Sequence, residues 1–154
     1  MGAPMVQNLL KAGHTVTVYN RTASKLQIAI AAGAIAADSP KAAAQQAEVV
    51  ITCVSDSPDV EAVVLGGGDQ AGIIEGARPG TLLIDMSTIS PSVTRNLATQ
   101  LEKKDISMID APVSGGSEGA QNGTLSIMVG GKKADVARAT PVLAAMGSTI
   151  THVG

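Results

Sequence analysis

The chain has 154 residues, 45% of them hydrophobic, and a formal net charge of −2 at pH 7. This length suits one domain with a substantial core and is short for two. Phe and Trp are absent, Tyr19 is the sole aromatic residue, and the basic residues are scattered. The composition therefore argues against a nucleic-acid partner, which would need aromatic stacking platforms or a basic patch.

The sequence also predicts no metal site, no membrane-spanning segment and no reactive thiol. The single cysteine, Cys53, lies in the apolar run VVITCV and is interpreted as a buried, unreactive thiol. His14 and His152 have no cluster of Cys or carboxylate residues around them. The longest apolar stretch, residues 28–37, is too short to span a bilayer, and the start of the chain lacks a secretory pattern. We expect a cytoplasmic protein.

Helix and strand patterns alternate from the start of the chain. Apolar residues at helical spacing predict a helix over residues 2–12. A run rich in β-branched residues predicts a strand at 15–19, and Ser24 is the candidate N-cap of a helix that ends at Gly33. A weaker strand is predicted at residues 34–37.

Three Ser-Pro pairs predict the starts of later helices: Ser39-Pro40, Ser57-Pro58 and Ser90-Pro91. In each pair the serine hydroxyl would cap the helix and the proline would occupy its first position. Two continuous apolar runs lie between them, at residues 49–54 and 81–87. Uninterrupted apolar runs predict strands that are covered on both faces, as in parallel sheets.

The last third of the chain continues the alternation. The predicted elements are a helix from Pro91, strands SMIDAPV and LSIMVGG, a helix containing Pro141, and a strand STITHV. Strands and helices that alternate at this spacing predict an α/β fold with a doubly wound, mainly parallel sheet. We interpret residues 1–154 as one domain.

Small polar residues follow four of the predicted strands, which places them where open parallel sheets bind ligands. The four segments are Asn20-Arg21-Thr22, Val54-Ser55-Asp56, Ser87-Thr88 and Ser114-Gly115-Gly116. Together they predict a functional cleft at the carboxyl edge of the sheet.

The first of these segments points to a dinucleotide. A dinucleotide fold places an acidic residue there to bind the ribose 2′-OH, or an Arg to accept a 2′-phosphate. The chain has Asn20 and Arg21 and no carboxylate, which favours NADP, with NAD as second choice. Gly2 lies 18 residues before Asn20, close to the offset expected for the last glycine of G-x-G-x-x-G.

The segment DAPVSGGSEGAQNGTLSIMVGG, residues 110–131, together with the opening MGAPMVQNLLKAGHTVTVYNRT, resembles the β-hydroxyacid dehydrogenases. That family includes 3-hydroxyisobutyrate dehydrogenase and tartronate semialdehyde reductase. The related 6-phosphogluconate dehydrogenases share the Ser-Gly-Gly turn. The resemblance extends over essentially the whole chain and implies a Rossmann-like NAD(P)-binding domain of an oxidoreductase.

The resemblance implies contacts along the cofactor, from the phosphate loop through the adenosine ribose to the nicotinamide. The residues implied are Gly2, Ala3, Asn20, Arg21, Thr22, Val54, Ser55, Asp59 and Thr88. It also implies that Ser114, Gly115 and Gly116 bind the substrate carboxylate through a hydroxyl and backbone N–H groups.

The resemblance further implies a longer protein. Chains of the family begin earlier, with a strand and the first glycines of G-x-G-x-x-G, and continue into a helical domain. Their catalytic lysine, a general acid, would lie just beyond Gly154, so no catalytic residue is expected within this chain. We therefore expect a sheet without its first strand, doubtful turnover by the chain alone, and self-association or a homo-oligomer.

Two other interpretations remain open. The chain could be a stand-alone nucleotide-binding or assembly module without catalysis, although such a module has no need of the PVSGG turn. A nucleophilic Ser114 or Cys53 is disfavoured because no general base lies near either residue in sequence.

Overall fold

The computed structural model describes residues 2–154. The helices are α1 (Gly2–Lys11), α2 (Gln27–Ala31), α3 (Pro40–Ala44), α4 (Ser57–Leu65), α5 (Ile73–Gly76), α6 (Pro91–Glu102), α7 (Gly116–Asn122) and α8 (Lys133–Leu143), with a 3₁₀ turn at Ala23–Leu26. The strands are β1 (Thr17–Val18), β2 (Ile35–Ala36), β3 (Val49–Thr52), β4 (Leu82–Asp85), β5 (Ser107–Asp110), β6 (Val113–Ser114), β7 (Leu125–Val129) and β8 (Gly147–His152).

The strands form three hydrogen-bonded groups, in the orders β1-β2, β3-β4-β5 and β6-β7-β8. Every pair is parallel except β6 with β7, which is antiparallel. The predicted α/β fold with a mainly parallel sheet is confirmed. Among residues 2–154, no strand pairs with the outer edge of β3 or joins it to β1.

The chain passes from the central group of strands to the third group at residues 111–112. Asp110, at the end of β5, forms an antiparallel bridge with Gly130, directly after β7. Since β5 and β6 both run antiparallel to β7, they run in the same direction as each other. Strand β6 therefore ends, at Ser114, on the same side as the carboxyl ends of β3, β4 and β5.

The central strand β4 is fully buried because helices cover both of its faces. Leu82 and Ile84 pack in a cluster with Met5 and Leu9 of α1 and with side chains of α8. Leu83, pointing the opposite way, packs with α4 and α6. The prediction of a strand covered on both faces is therefore confirmed for residues 82–85, whereas β3 is only partly buried.

Side chains from α1 and α8 connect the strand groups. Val6 and Leu10 of α1 pack against the small core beneath β1 and β2. From α8, the two terminal nitrogens of Arg138 donate to the Gly80 carbonyl at 2.7 Å and the Glu48 carbonyl at 3.0 Å. Arg138 thus joins the segments that lead into β3 and β4, at the amino edge of the central strands.

The helix caps only partly follow the prediction. Ser39 caps α3, and its hydroxyl accepts a hydrogen bond from the Ala42 N–H at 3.0 Å. Ser57 is not a cap, because the carboxylate of Asp56 takes that position and accepts from the Ser57 N–H. Ser90 stands at the N-cap of α6, but its side chain makes no cap bond.

Other local predictions were wrong. Ser24 does not cap a helix, because it lies inside the 3₁₀ turn that follows Thr22. No helix is predicted between the strands SMIDAPV and LSIMVGG, but Gly116–Asn122 is helical. The helix α5 was not predicted either, since four residues are too few to show a helical period.

Candidate functional site

The loops that follow β3 and β4 are fastened to each other at the carboxyl edge of the central strands. The Val54 N–H donates to the Ser87 hydroxyl oxygen at 2.9 Å, and the Ser90 N–H donates to the Ser57 hydroxyl oxygen at 3.1 Å. Ser55 and Thr88 are exposed beside these bonds. The two predicted strand-end segments are therefore neighbours.

A buried carboxyl group lies beneath these loops. Asp85 is fully buried, and its Oδ1 accepts hydrogen bonds from the Thr52 hydroxyl at 2.9 Å and from the Ser87 N–H at 3.1 Å. Its Oδ2 is buried with no hydrogen-bond partner within residues 2–154. Sequence reasoning missed Asp85, although it is the one charged residue in the run TLLIDMS, and that is the signal that could have found it.

Burial and hydrogen bonding act in opposite directions on the pKa of this group. Burial raises the pKa of the Asp85 carboxyl above its ordinary value, the hydrogen bonds from Ser87 and Thr52 oppose the rise, and the nearby Asp110 adds to it. Burial likewise raises the pKa of Asp110 and of the Cys53 thiol. Cys53 therefore stays protonated and is a poor nucleophile, although it is only partly buried.

The segment after β1 reaches the start of α4. The Asn20 side-chain oxygen accepts from the Thr22 N–H at 2.9 Å, which holds a local turn. Arg21 Nη1 lies 3.9 Å from Asp59 Oδ1, with the Arg21 side chain 86% exposed. Such an exposed, long ion pair is weak, so the guanidinium remains accessible to an anionic ligand.

The Ser-Gly-Gly turn requires its glycines. Gly115 has φ +134° and Gly116 has φ +61°, and a Cβ at Gly115 would lie 3.3 Å from Leu125 Cδ2. Ser114 pairs with Ser126 across β6 and β7, and the three turn residues are exposed. The turn therefore presents a hydroxyl and backbone N–H groups to solvent at the start of α7.

Gly2 and Ala3 form the first turn of α1, and Gly2 is exposed with open space around its Cα. The same helix packs on α7, where Asn8 Nδ2 donates to the Ala120 carbonyl at 2.7 Å. Hydrogen bonds and the ion pair thus link the segments after β1, β3 and β4. Within residues 2–154 no side-chain hydrogen bond or ion pair joins the Ser114 turn to them.

The structure of residues 2–154 also bears on metal binding and on membrane insertion. No group of three or more His, Cys, Asp or Glu side chains is arranged to hold a metal ion there. In the same part of the chain, no helix is long and apolar enough to cross a membrane.

The parallel strands, the helices on both faces and the polar strand ends define an NAD(P)-binding domain of the Rossmann type. The family model for the NAD-binding domain of 6-phosphogluconate dehydrogenase matches residues 1–154. The chain belongs to this family.

Named relatives support the same assignment. The chain is 43% identical, over its whole length, to the NAD-dependent L-serine dehydrogenase of Pseudomonas aeruginosa and covers 51% of that protein. A structure of Mycobacterium tuberculosis 3-hydroxyisobutyrate dehydrogenase with L-serine matches 99% of the chain and 50% of that protein, with a TM-score of 0.92 and 38% identity. The resemblance to hydroxyacid dehydrogenases is confirmed.

A third comparison concerns the cofactor. A structure of Psf3 in complex with NADP⁺ and 2-OPP matches with a TM-score of 0.92 and 31% identity, covering 99% of this chain and 53% of that one. The chain spans about half the length of the curated relatives that it matches.

Proposed function

We propose that the protein binds NADP and forms the cofactor-binding part of an oxidoreductase that acts on a small 3-hydroxy acid or its semialdehyde. The observation that carries the choice of NADP is Arg21, a largely exposed guanidinium at the end of β1 that follows Asn20 rather than a carboxylate. An Arg at this place suits a 2′-phosphate, and an Asp or Glu would suit the 2′-OH of NAD.

The residues present fit such a cofactor. Gly2 and Ala3 start a ten-residue helix whose N-terminus attracts phosphate, and the space beside Gly2 allows close approach of a ligand. The proposed cofactor contacts are Gly2, Ala3, Asn20, Arg21, Thr22, Val54, Ser55, Asp59 and Thr88. Asp59, which would border the middle of the cofactor, pairs only weakly with Arg21, so a 2′-phosphate would replace it on the guanidinium at little cost.

The Ser114 turn would hold the substrate. The Ser114 hydroxyl and the N–H groups of Gly115 and Gly116 are exposed donors, which suit a carboxylate. Relatives named for L-serine and 3-hydroxyisobutyrate support a small 3-hydroxy acid. When bound, the nicotinamide would supply the hydride, and these residues would orient the reacting carbon toward it.

The remaining proposals concern the whole protein. We propose that a lysine beyond Gly154 protonates the substrate oxygen, that the protein is a homo-oligomer, and that it acts in the cytoplasm. The 154-residue chain alone is then expected to show negligible turnover of NADPH with tartronate semialdehyde. Steady NADPH oxidation by this chain would contradict the assignment of the proton donor.

The test of cofactor choice is a fluorescence titration of the purified chain with NADPH and, separately, with NADH. Saturable binding that favours NADPH is expected. Arg21→Ala should weaken NADPH binding by about tenfold, the loss expected for one charge-assisted hydrogen bond, and change NADH binding little. The matched control Arg95→Ala removes the same charge from an exposed position on α6 and should leave both affinities unchanged.

Two results would contradict the proposal. Equal or tighter binding of NADH would overturn the choice of NADP. Two findings together would favour the stand-alone nucleotide-binding module. Nucleotide binding would be unchanged when the Ser114 turn is mutated, and the protein encoded by the complete reading frame would turn over no 3-hydroxy acid.

A further inference from the structure

A chain of hydrogen bonds connects the ends of β3 and β4 through one buried side chain. Asp85 Oδ1 accepts from Thr52 on β3 and from the N–H of Ser87, two residues further along its own strand. The Ser87 hydroxyl in turn accepts from the Val54 N–H. The parallel register places Thr52 opposite Asp85, so these bonds span the two strands at their last paired residues.

We propose that Asp85 is a positioning residue that fixes the loop after β3 relative to the loop after β4. This inference rests on the proposed function in one respect, namely that both loops border the cofactor. Asp85 touches neither proposed ligand; it acts through Thr52 and Ser87. The two loops would then keep Val54, Ser55 and Thr88 at fixed distances from one another before a ligand binds. This reduces the entropy that is lost when the loops become ordered on binding.

The geometry favours a neutral acid in this role. Both bonds to Asp85 end on Oδ1, while Oδ2 is buried and unpartnered in the described part of the chain. A charge on such an oxygen would be costly, whereas a protonated carboxyl leaves Oδ1 free to accept both bonds. Neighbouring ionisable groups are Cys53 after β3 and Asp110 at the end of β5, and the buried side chains of α1 and α8 in this core are apolar.

This arrangement predicts that the positions of the two loops depend on the shape of the side chain at position 85 and on its hydrogen-bond acceptors, and not on its charge. Asp85→Asn keeps an acceptor oxygen at Oδ1 and resembles the neutral acid. Asp85→Leu keeps the branched shape and removes both acceptors. Leu83→Val is the matched core control, because it shortens a fully buried side chain on the same strand without touching the hydrogen bonds.

The experiment measures two quantities on the purified chain and these variants. The first is amide hydrogen exchange at Val54 and Ser87, with Met86 as internal reference because its N–H donates to the Thr52 carbonyl. Asp85→Leu should speed exchange at Val54 and Ser87 by about tenfold relative to Met86, while Asp85→Asn and Leu83→Val should not. The second is the NADPH dissociation constant, which should rise by about tenfold in Asp85→Leu alone, as for a lost hydrogen bond to the loop.

Several results would overturn the inference. Unchanged exchange and unchanged NADPH affinity in a folded Asp85→Leu would do so, and so would an equal loss of affinity in Leu83→Val. If Asp85→Leu does not fold, Ser87→Ala removes the outer bond alone, and unchanged Val54 exchange in that variant would equally overturn it. If exchange responds as expected but the unmodified chain binds neither NADPH nor NADH, the proposed function fails and the positioning of the loops stands.

Discussion

The Asp85 carboxyl group is buried beside Asp110, and this position makes the stability of the protein depend on pH. Its pKa is raised above the value of about 3.9 that an unfolded chain would show. The folded state therefore binds a proton more tightly than the unfolded state does. The stability contributed by the neutral acid is present below about pH 4 and is lost as pH rises through the folded pKa.

Replacing Asp85 with Asn removes this dependence. We expect Asp85→Asn to match the original chain near pH 4 and to become the more stable of the two as pH rises above that value. Thermal unfolding of both proteins measures the difference in stability. The series runs from about pH 4, near the pKa of an unfolded Asp, to about pH 8. A difference that shrinks or reverses with rising pH would mean that Asp85 is stabilised as a carboxylate.

Helix capping gives a prediction for individual elements. Ser39 caps α3 through a 3.0 Å bond, whereas Ser90 has the same Ser-Pro context at α6 and makes no cap bond. Ser39→Ala is therefore expected to lower the free energy of unfolding by about 1 kcal/mol, and Ser90→Ala by clearly less. Urea titrations of both variants check this. Equal losses would show that the Ser-Pro context, rather than the observed bond, determines the effect.

The elements also show what the sequence could predict. The strand β4 is found within a continuous apolar run because burial on both faces favours apolar residues along a strand, and β3 lies within the other run although it is only partly buried. The helix α7 could not be found by periodicity, because its buried positions are the small residues Gly119 and Ala120, and a Cβ at Gly119 would lie 3.2 Å from Leu125 Cδ2. Its helical state depends on contacts with β7 that a local pattern does not contain.

The candidate site likewise has one part that the sequence predicts and one part that it does not. The strand-end segments could be located, because the order of the elements decides which residues follow strands. The bonds among Thr52, Asp85 and Ser87 could not, since Thr52 and Asp85 are 33 residues apart and meet only through the register of β3 with β4. That these segments bind a cofactor is a prediction, and the NADPH and NADH titrations test it.

At the scale of the molecule, unpaired strand edges and exposed apolar side chains predict self-association of the 154-residue chain. Within residues 2–154 one edge of β1 and one edge of β3 have no partner strand, and Ile28, Ile30 and Ile35 are exposed around β2. We expect a melting temperature that changes with protein concentration, together with dimers or larger species in sedimentation velocity. A sharp, reversible melt above about 60 °C that is independent of concentration would contradict this expectation.

The fork of Arg138 has a mechanical consequence for the centre of the molecule. It joins the carbonyl groups of Glu48 and Gly80 before β3 and β4 begin, and the Asp85 bonds join the same strands where they end. Separation of β3 from β4, started at either end, must therefore break side-chain hydrogen bonds as well as the backbone hydrogen bonds of the strand pair. Lysine at position 138 could not form both bonds with a planar fork, and the amino end would then be free to fray.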